Sequence, residues 1–224
     1  MIESSLQRLR ARPAIPRRLR RFLGDPPAVL GFAIVAAAVL VAALVHLLPL
    51  PDPTELNLQY RLLPPSWQFP LGADHLGRDE LSRLLYGTRT TLGLAGISLT
   101  IIMGIALVVG GVSGYYGGWL DTGLMMVVDL LLAFPSLILG IAVAGILGPS
   151  LMNVMIAVSV VWWAGYARVI RGMVLSARQR GYVEAARAIG ASDHRIVVYH
   201  IARNILGPFV VLATLDMGWI ILSI

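Results

Sequence analysis

The residues of this chain best placed to do chemistry are carboxylates set in apolar sequence. Asp129 and Asp216 each lie inside long uncharged runs. An ionised carboxylate in hydrocarbon is unfavourable by about 3 kcal/mol on insertion scales, so each demands a partner or a task. Two such acids brought together can activate water, as an intramembrane aspartyl protease does. That class carries a Gly-x-Gly-Asp motif, whereas these acids end Met126-Val127-Val128-Asp129 and Ala213-Thr214-Leu215-Asp216. The protease reading is therefore set aside. A second group, Asp74, His75 and Asp79, offers oxygen and nitrogen donors that suit nickel or zinc. One histidine among acids in a polar loop is more commonly a set of helix caps and ion pairs, and no metal site is assigned.

Residue types that are missing narrow the chemistry further. All 18 basic residues are arginine, and cysteine is absent. Without lysine there is neither a GxxxxGK[ST] phosphate loop nor a Schiff base. Without cysteine there is no disulfide, thiolate nucleophile or cysteine-held metal. The chain is expected to bind no cofactor and to catalyse no reaction. Any ATP-driven work needs ATP and Mg on another subunit.

What positions these residues is a membrane. A composition of 57% hydrophobic and 13% charged residues over 224 positions lies outside the range of water-soluble domains. A formal charge of +6 is compatible with nucleic-acid binding. The arginines decide against it, because they flank apolar runs. Seven lie in residues 1–27 and seven more from Arg168 to Arg203, leaving only Arg61, Arg78, Arg83 and Arg89 elsewhere.

About 20 apolar residues span a bilayer as a helix. Ala28 to Leu48 is such a run, too long for the core of a secretory signal. His46 lies near its outer end, and the Arg20-Arg21 pair lacks the spacing of a twin-arginine signal. Thr90 to Leu120 is uncharged, with Gly110, Gly114 and Gly118 at intervals of four, which lets another helix approach closely. Gly117-Gly118 predicts a turn. Thr122 to Ala167 divides at Gly148-Pro149 into two antiparallel helices, and Ile205 to Ile224 is the last run.

Five spans result, in an all-α membrane protein. Residues 1–27 form a cytoplasmic arginine-rich segment, 28–48 the first span, 49–89 an external loop with an interfacial helix, and 90–224 the core, which includes a cytoplasmic stretch, 168–204. Fourteen arginines inside against four outside set this orientation. In the outer loop, Arg78-Asp79-Glu80 with Arg83 predicts i to i+4 ion pairs.

The cytoplasmic stretch holds a second signal. Residues 182–189 are helix formers, Gly190 suits the left-handed position that ends a helix, and Ser192 can cap the next. The result is a short helix, a sharp corner and a helix returning to the membrane. Ala185 and Ala186 remove bulk from one face, which could then enter a cleft on a partner.

Glu184-Ala185-Ala186, then Gly190, then Ile201 resembles the EAA signature of permease subunits in binding-protein-dependent ABC importers. Upstream, Leu71-Gly72-Ala73-Asp74-His75-Leu76-Gly77-Arg78-Asp79 with Leu81-Ser82-Arg83 and Gly87-Thr88-Arg89 is similar to a segment of the peptide and nickel permease family. Asp129 to Pro135 is similar to that family's third-span segment. The resemblance implies a type I ABC importer transmembrane domain with a sixth span beyond the five. It also implies a second permease, two ABC ATPases, an extracytoplasmic binding protein and a bacterial inner-membrane location. It makes Glu184, Ala185, Ala186, Gly190, Ala191 and Arg195 ATPase-coupling residues, and it places Asp216, Thr214, Met217 and Asp129 on the translocation pathway. Ala202-Arg203 departs from the family's leucine-proline, implying an altered exit from the coupling region. The run from Leu212 to Gly218 is similar to nickel-type members, so the cargo implied is nickel or another chelated transition metal, with oligopeptides the alternative.

Overall fold

The computed structural model describes residues 22–223. The arginine cluster up to Arg21 and the final residue of the last apolar run therefore lie outside the described residues. The chain divides near Arg89 into two compact units.

In the first unit, helix α1 (Pro26–Leu44) opens on two prolines, whose fixed φ suits a first turn, and continues as a 3-10 turn to Leu47. The 22 residues reach about 33 Å at 1.5 Å per residue, enough to cross a bilayer. No side chain of α1 is buried, so its all-round apolar surface is left for lipid or another chain.

The polar segment that follows is organised by two carboxylates. Asp74 is buried and accepts from the backbone N–H groups of Leu76 (2.8 Å) and Arg78 (2.9 Å), from Arg78 Nε (2.8 Å) and from Arg83 (2.7 Å). Asp79 caps the next helix through Ser82, accepting from its N–H at 2.8 Å and its hydroxyl at 2.6 Å. Gly77 makes the knot possible: at φ +77°, a Cβ there would lie 1.7 Å from the Asn57 carbonyl oxygen. His75 remains exposed. Among the described residues, no three His, Asp or Glu side chains gather as a metal-binding set.

Burial alone would raise the Asp74 pKa, but the backbone and guanidinium donors outweigh it and hold the carboxyl well below its usual range. A depressed folded pKa stabilises the folded form above the unfolded value of about 3.9, and this contribution fades as pH falls below it. The knot is thus expected to be indifferent to pH between about 5 and 8 and to open in stronger acid. Asp74→Asn should speed amide exchange of residues 57–79 roughly tenfold at neutral pH. Exchange unchanged by the substitution would refute this role.

Helix α2 (Glu80–Tyr116) runs 37 residues without a break. The expected separate interfacial helix is therefore absorbed into the start of a span. The i to i+4 pair expected there, Asp79 with Arg83, does not form, because Asp79 caps α2 through Ser82; Arg83 pairs instead with Asp74 and, at i,i+3, with Glu80, and Arg78 pairs with Asp74.

In the second unit, α2 ends at Tyr116. Gly117 and Gly118, both at positive φ, turn the chain into α3 (Gly118–Leu132). The continuous helix expected from Thr122 to Gly148 is instead broken. Pro135 has no N–H to donate and disfavours a helical residue before it, so the chain bends by 85° before α4 (Ser136–Leu147). After Gly148-Pro149 comes α5 (Leu151–Arg178), which carries the unit's core: Val161, Ala164, Ala167, Ile170, Val174 and Ala177 recur at three- and four-residue spacing and are buried.

Gly110 and Gly114 of α2 face α5, where a Cβ would come within 2.4 Å of the Ala167 carbonyl oxygen and 2.8 Å of that of Arg171. Gly118 does not share this face, because the chain has already turned. Two short helices follow α5: α6 (Gly181–Ala188) and, after a corner, a turn at Asp193–Arg195. A π-helical stretch, Ile196–Ile201, then leads without interruption into α7 (Ala202–Ser223). Among the described residues, four helices are long and apolar enough to span a membrane, or five counting the bent α3–α4 pair as one.

Candidate coupling surface and membrane carboxylates

The stretch assigned to residues 168–204 begins inside α5, which continues to Arg178. Arginine is a good helix former, and the first two arginines are neutralised by acids of α3, so their charge does not end the helix. Arg171 grips Asp121 through Nε and a terminal nitrogen, both at 2.6 Å, and Ser113 of α2 donates to the same carboxylate. Arg168 pairs with Asp129.

Helix α6 carries Glu184 in its first turn and Arg187 in its last, each favourably placed against the helix dipole. Val183 and Ala186 are buried, whereas Glu184, Ala185 and Gly190 are exposed and Ile189 is 85% exposed. Successive residues of a helix lie 100° apart, so Ala185 and Ala186 cannot share a face. Contrary to expectation, Ala186 seats α6 on its own chain, and the outward surface is built from Glu184, Ala185 and Ile189.

Gly190 takes φ +77° and ends α6 as expected, its N–H donating to Arg187 (2.9 Å) and that of Ala191 to Ala186 (3.0 Å). This is a Schellman closure, satisfying two carbonyls that the helix end leaves over. Ser192 occupies the N-cap of the next turn, but its side chain makes no capping bond. Ala191 is partly buried in the corner and Arg195 is exposed.

Sequence reasoning did not find the residue on which this corner is hung. Tyr115 is 3% exposed, and its hydroxyl donates to Asp193 at 2.5 Å. The guanidinium carbons of Arg178 and Arg187 lie 5.9 and 5.7 Å from its ring centroid, within cation–π range. No local pattern reveals this, since Tyr115 and Asp193 are 78 residues apart.

The four residues expected on a pathway are distributed differently. Asp129 is 64% exposed at its side chain and held by Arg168. Thr214 is exposed and returns its hydroxyl to the carbonyls of Val210 and Val211, a helical bond that satisfies it locally. Met217 packs inward beside Ile102, Val158 and Ile220. Asp216 is half-buried beside Tyr166 of α5, and its Oδ2 is enclosed with no hydrogen-bond partner among the described residues. Tyr166 also lines a cavity of about 200 Å³ with Trp162, Ser136 and Gly165. Trp162 and Ser136 line an adjoining apolar cavity of about 330 Å³ between α4 and α5.

Comparison with known proteins accounts for most of the chain. Residues 105–224 match the family described as "Binding-protein-dependent transport system inner membrane component". The nickel transport system permease protein NikC of Escherichia coli K12 is 41% identical over 197 residues, covering 85% of this chain and 71% of that protein. The probable D,D-dipeptide transport system permease protein DdpC of the same strain is 40% identical over 200 residues, covering 89% and 67%. The dipeptide transport system permease protein DppC of Alkalihalophilus pseudofirmus is 37% identical over 196 residues, covering 88% and 64%.

Proposed function

We propose a working role on one premise: the chain belongs to the binding-protein-dependent transport system inner membrane component family, as an ABC importer permease subunit of the peptide and nickel group. In this role it contributes one half of a translocation pathway, paired with a second permease. Two ABC ATPases supply the ATP and Mg chemistry that a lysine-free chain cannot, and an extracytoplasmic binding protein delivers cargo. Residues 1–27 and α6 face the cytoplasm, and the Asp74 knot faces outward. The outward surface of α6, with Glu184, Ala185 and Ile189 beside Gly190, Ala191 and Arg195, seats in the ATPase. ATP-driven closure of the ATPases then moves α6 and rocks the helices between inward and outward openings.

For cargo, we propose nickel or another chelated transition metal. The supporting observation is Asp216, a carboxyl inside α7 with one oxygen unpaired beside Tyr166, because a cationic cargo offsets the penalty of holding that charge in the membrane. Met217, the next residue, packs against Ile102 and Val158 and fixes α7 beside that carboxyl, while Thr214 and the Arg168-held Asp129 contribute shape. The alternative is an oligopeptide, favoured by the similarity to dipeptide permeases and by the room beside Tyr166 and Trp162.

The test is uptake by the assembled transporter in vesicles. Nickel should accumulate and dipeptides should not, and Asp216→Asn should cut nickel uptake about tenfold or more while the complex stays assembled. Robust dipeptide uptake with no metal dependence defeats the nickel reading in favour of the alternative.

A further inference from the structure

The outward surface of α6 can do mechanical work only if the helix is held to the membrane helices, and little of α6 does the holding. It is eight residues long, only Val183 and Ala186 are buried, and a helix of two turns is not stable on its own. The chain leaves it through a corner at Gly190, a glycine at positive φ whose added Cβ would meet nothing within 4 Å. What fixes the angle of α6 must lie in tertiary contacts around that corner.

Those contacts converge on Tyr115. Arg178 reaches its ring from the end of α5, just before α6, and Arg187 from the last turn of α6. Asp193, the first residue of the turn beyond the corner, takes its hydroxyl hydrogen bond. One side chain therefore touches the segment before the short helix, the helix itself and the segment after it. Tyr115 sits at the end of α2, and α2 is locked to α5 within the same turn, where Gly114 lies against the Arg171 carbonyl and Ser113 shares Asp121 with Arg171. A displacement of α6 cannot be absorbed at the corner without breaking a charge-assisted bond or unstacking a guanidinium.

We propose that Tyr115 is the positioning residue that sets the angle of α6 and passes its displacement to α2. This inference rests on the permease reading above. Tyr115→Phe keeps the ring for both arginines and removes only the donor to Asp193. In the assembled transporter, cargo moved per ATP hydrolysed should fall about tenfold while the yield of complex and the hydrolysis rate stay near those of the parent. Asp193→Ala, which removes the acceptor, should lower the same ratio, and the double variant should be no worse than the more impaired single one, because both delete the same bond.

Unchanged cargo per ATP in Tyr115→Phe overturns the inference while leaving the permease reading intact. So does a loss of assembled complex at an unchanged ratio, which would mark Tyr115 as merely structural. Strictly additive single effects overturn it as well. A parent complex that hydrolyses ATP but moves neither nickel nor dipeptide overturns the permease reading, and this inference with it.

Discussion

Gly110→Ala and Gly114→Ala are expected to destabilise the protein severely, whereas Gly104→Ala and Gly111→Ala in the same helix should leave it unchanged or slightly more stable. All four exchange one hydrogen for a methyl group. In an exposed helical setting that exchange is favourable by up to about 1 kcal/mol, because alanine loses less backbone freedom than glycine. At positions 104 and 111 a Cβ meets nothing within 4 Å. At 110 it would lie 2.4 Å from the Ala167 carbonyl oxygen and 3.0 Å from the Arg171 nitrogen, and at 114 it would lie 2.8 Å from the Arg171 carbonyl oxygen. These obstacles are backbone atoms of α5, which cannot rotate aside. The helices must separate, at a loss of the order of 3 kcal/mol per site. The thermal midpoint of the detergent-solubilised complex measures it, and equal midpoints for all four variants would disprove the close approach of α2 and α5.

The second large effect is on coupling. Gly190→Pro places a φ near −65° where the chain requires +77° and removes the N–H that donates to Arg187. Glu184→Arg reverses the charge of an exposed residue without touching the core. Both should lower cargo uptake about tenfold or more while ATP hydrolysis continues. Gly190→Ala should fall between parent and Gly190→Pro, since a left-handed alanine is disfavoured by only about 1–2 kcal/mol. Normal uptake in both Glu184→Arg and Gly190→Pro would remove α6 from the coupling mechanism.

Where a feature depends on short-range rules, the sequence made it readable. Gly190 ends α6 because only a left-handed residue can close that turn, and Gly117-Gly118 turn the chain because both adopt positive φ. Gly110 and Gly114 announced a close approach by their spacing, though not the identity of the helix opposite. The break between α3 and α4 is not legible from Pro135 alone, because a proline in an apolar run is compatible with either a kink or a new helix. The arginines of α5 read as loop in the sequence because their partners are distant in the chain. Asp121 and Asp129 lie 50 and 39 residues away from them. Tyr115 carried no signal for the same reason: a hub is defined by what converges on it. Ala186 is a simpler case, since the 100° between successive helical residues turns it inward when Ala185 faces out.

The π-helical stretch at Ile196–Ile201 has a consequence for the far end of α7. A π turn closes its hydrogen bonds over five residues instead of four, so it holds one residue more per loop and offsets the phase of everything after it by about 100°. Asp216 lies about fifteen residues downstream, on a helix that stays helical through Pro208, whose missing N–H and ring also bend it. Its facing toward Tyr166 is therefore set in part beside the coupling corner, and not only where it lies. Tightening that stretch by a single residue would leave α7 as long and as apolar as before, yet it would aim the carboxyl at a different neighbour. These six residues therefore act as a dial on the register between the surface proposed to meet the ATPase and the carboxyl proposed to meet the cargo.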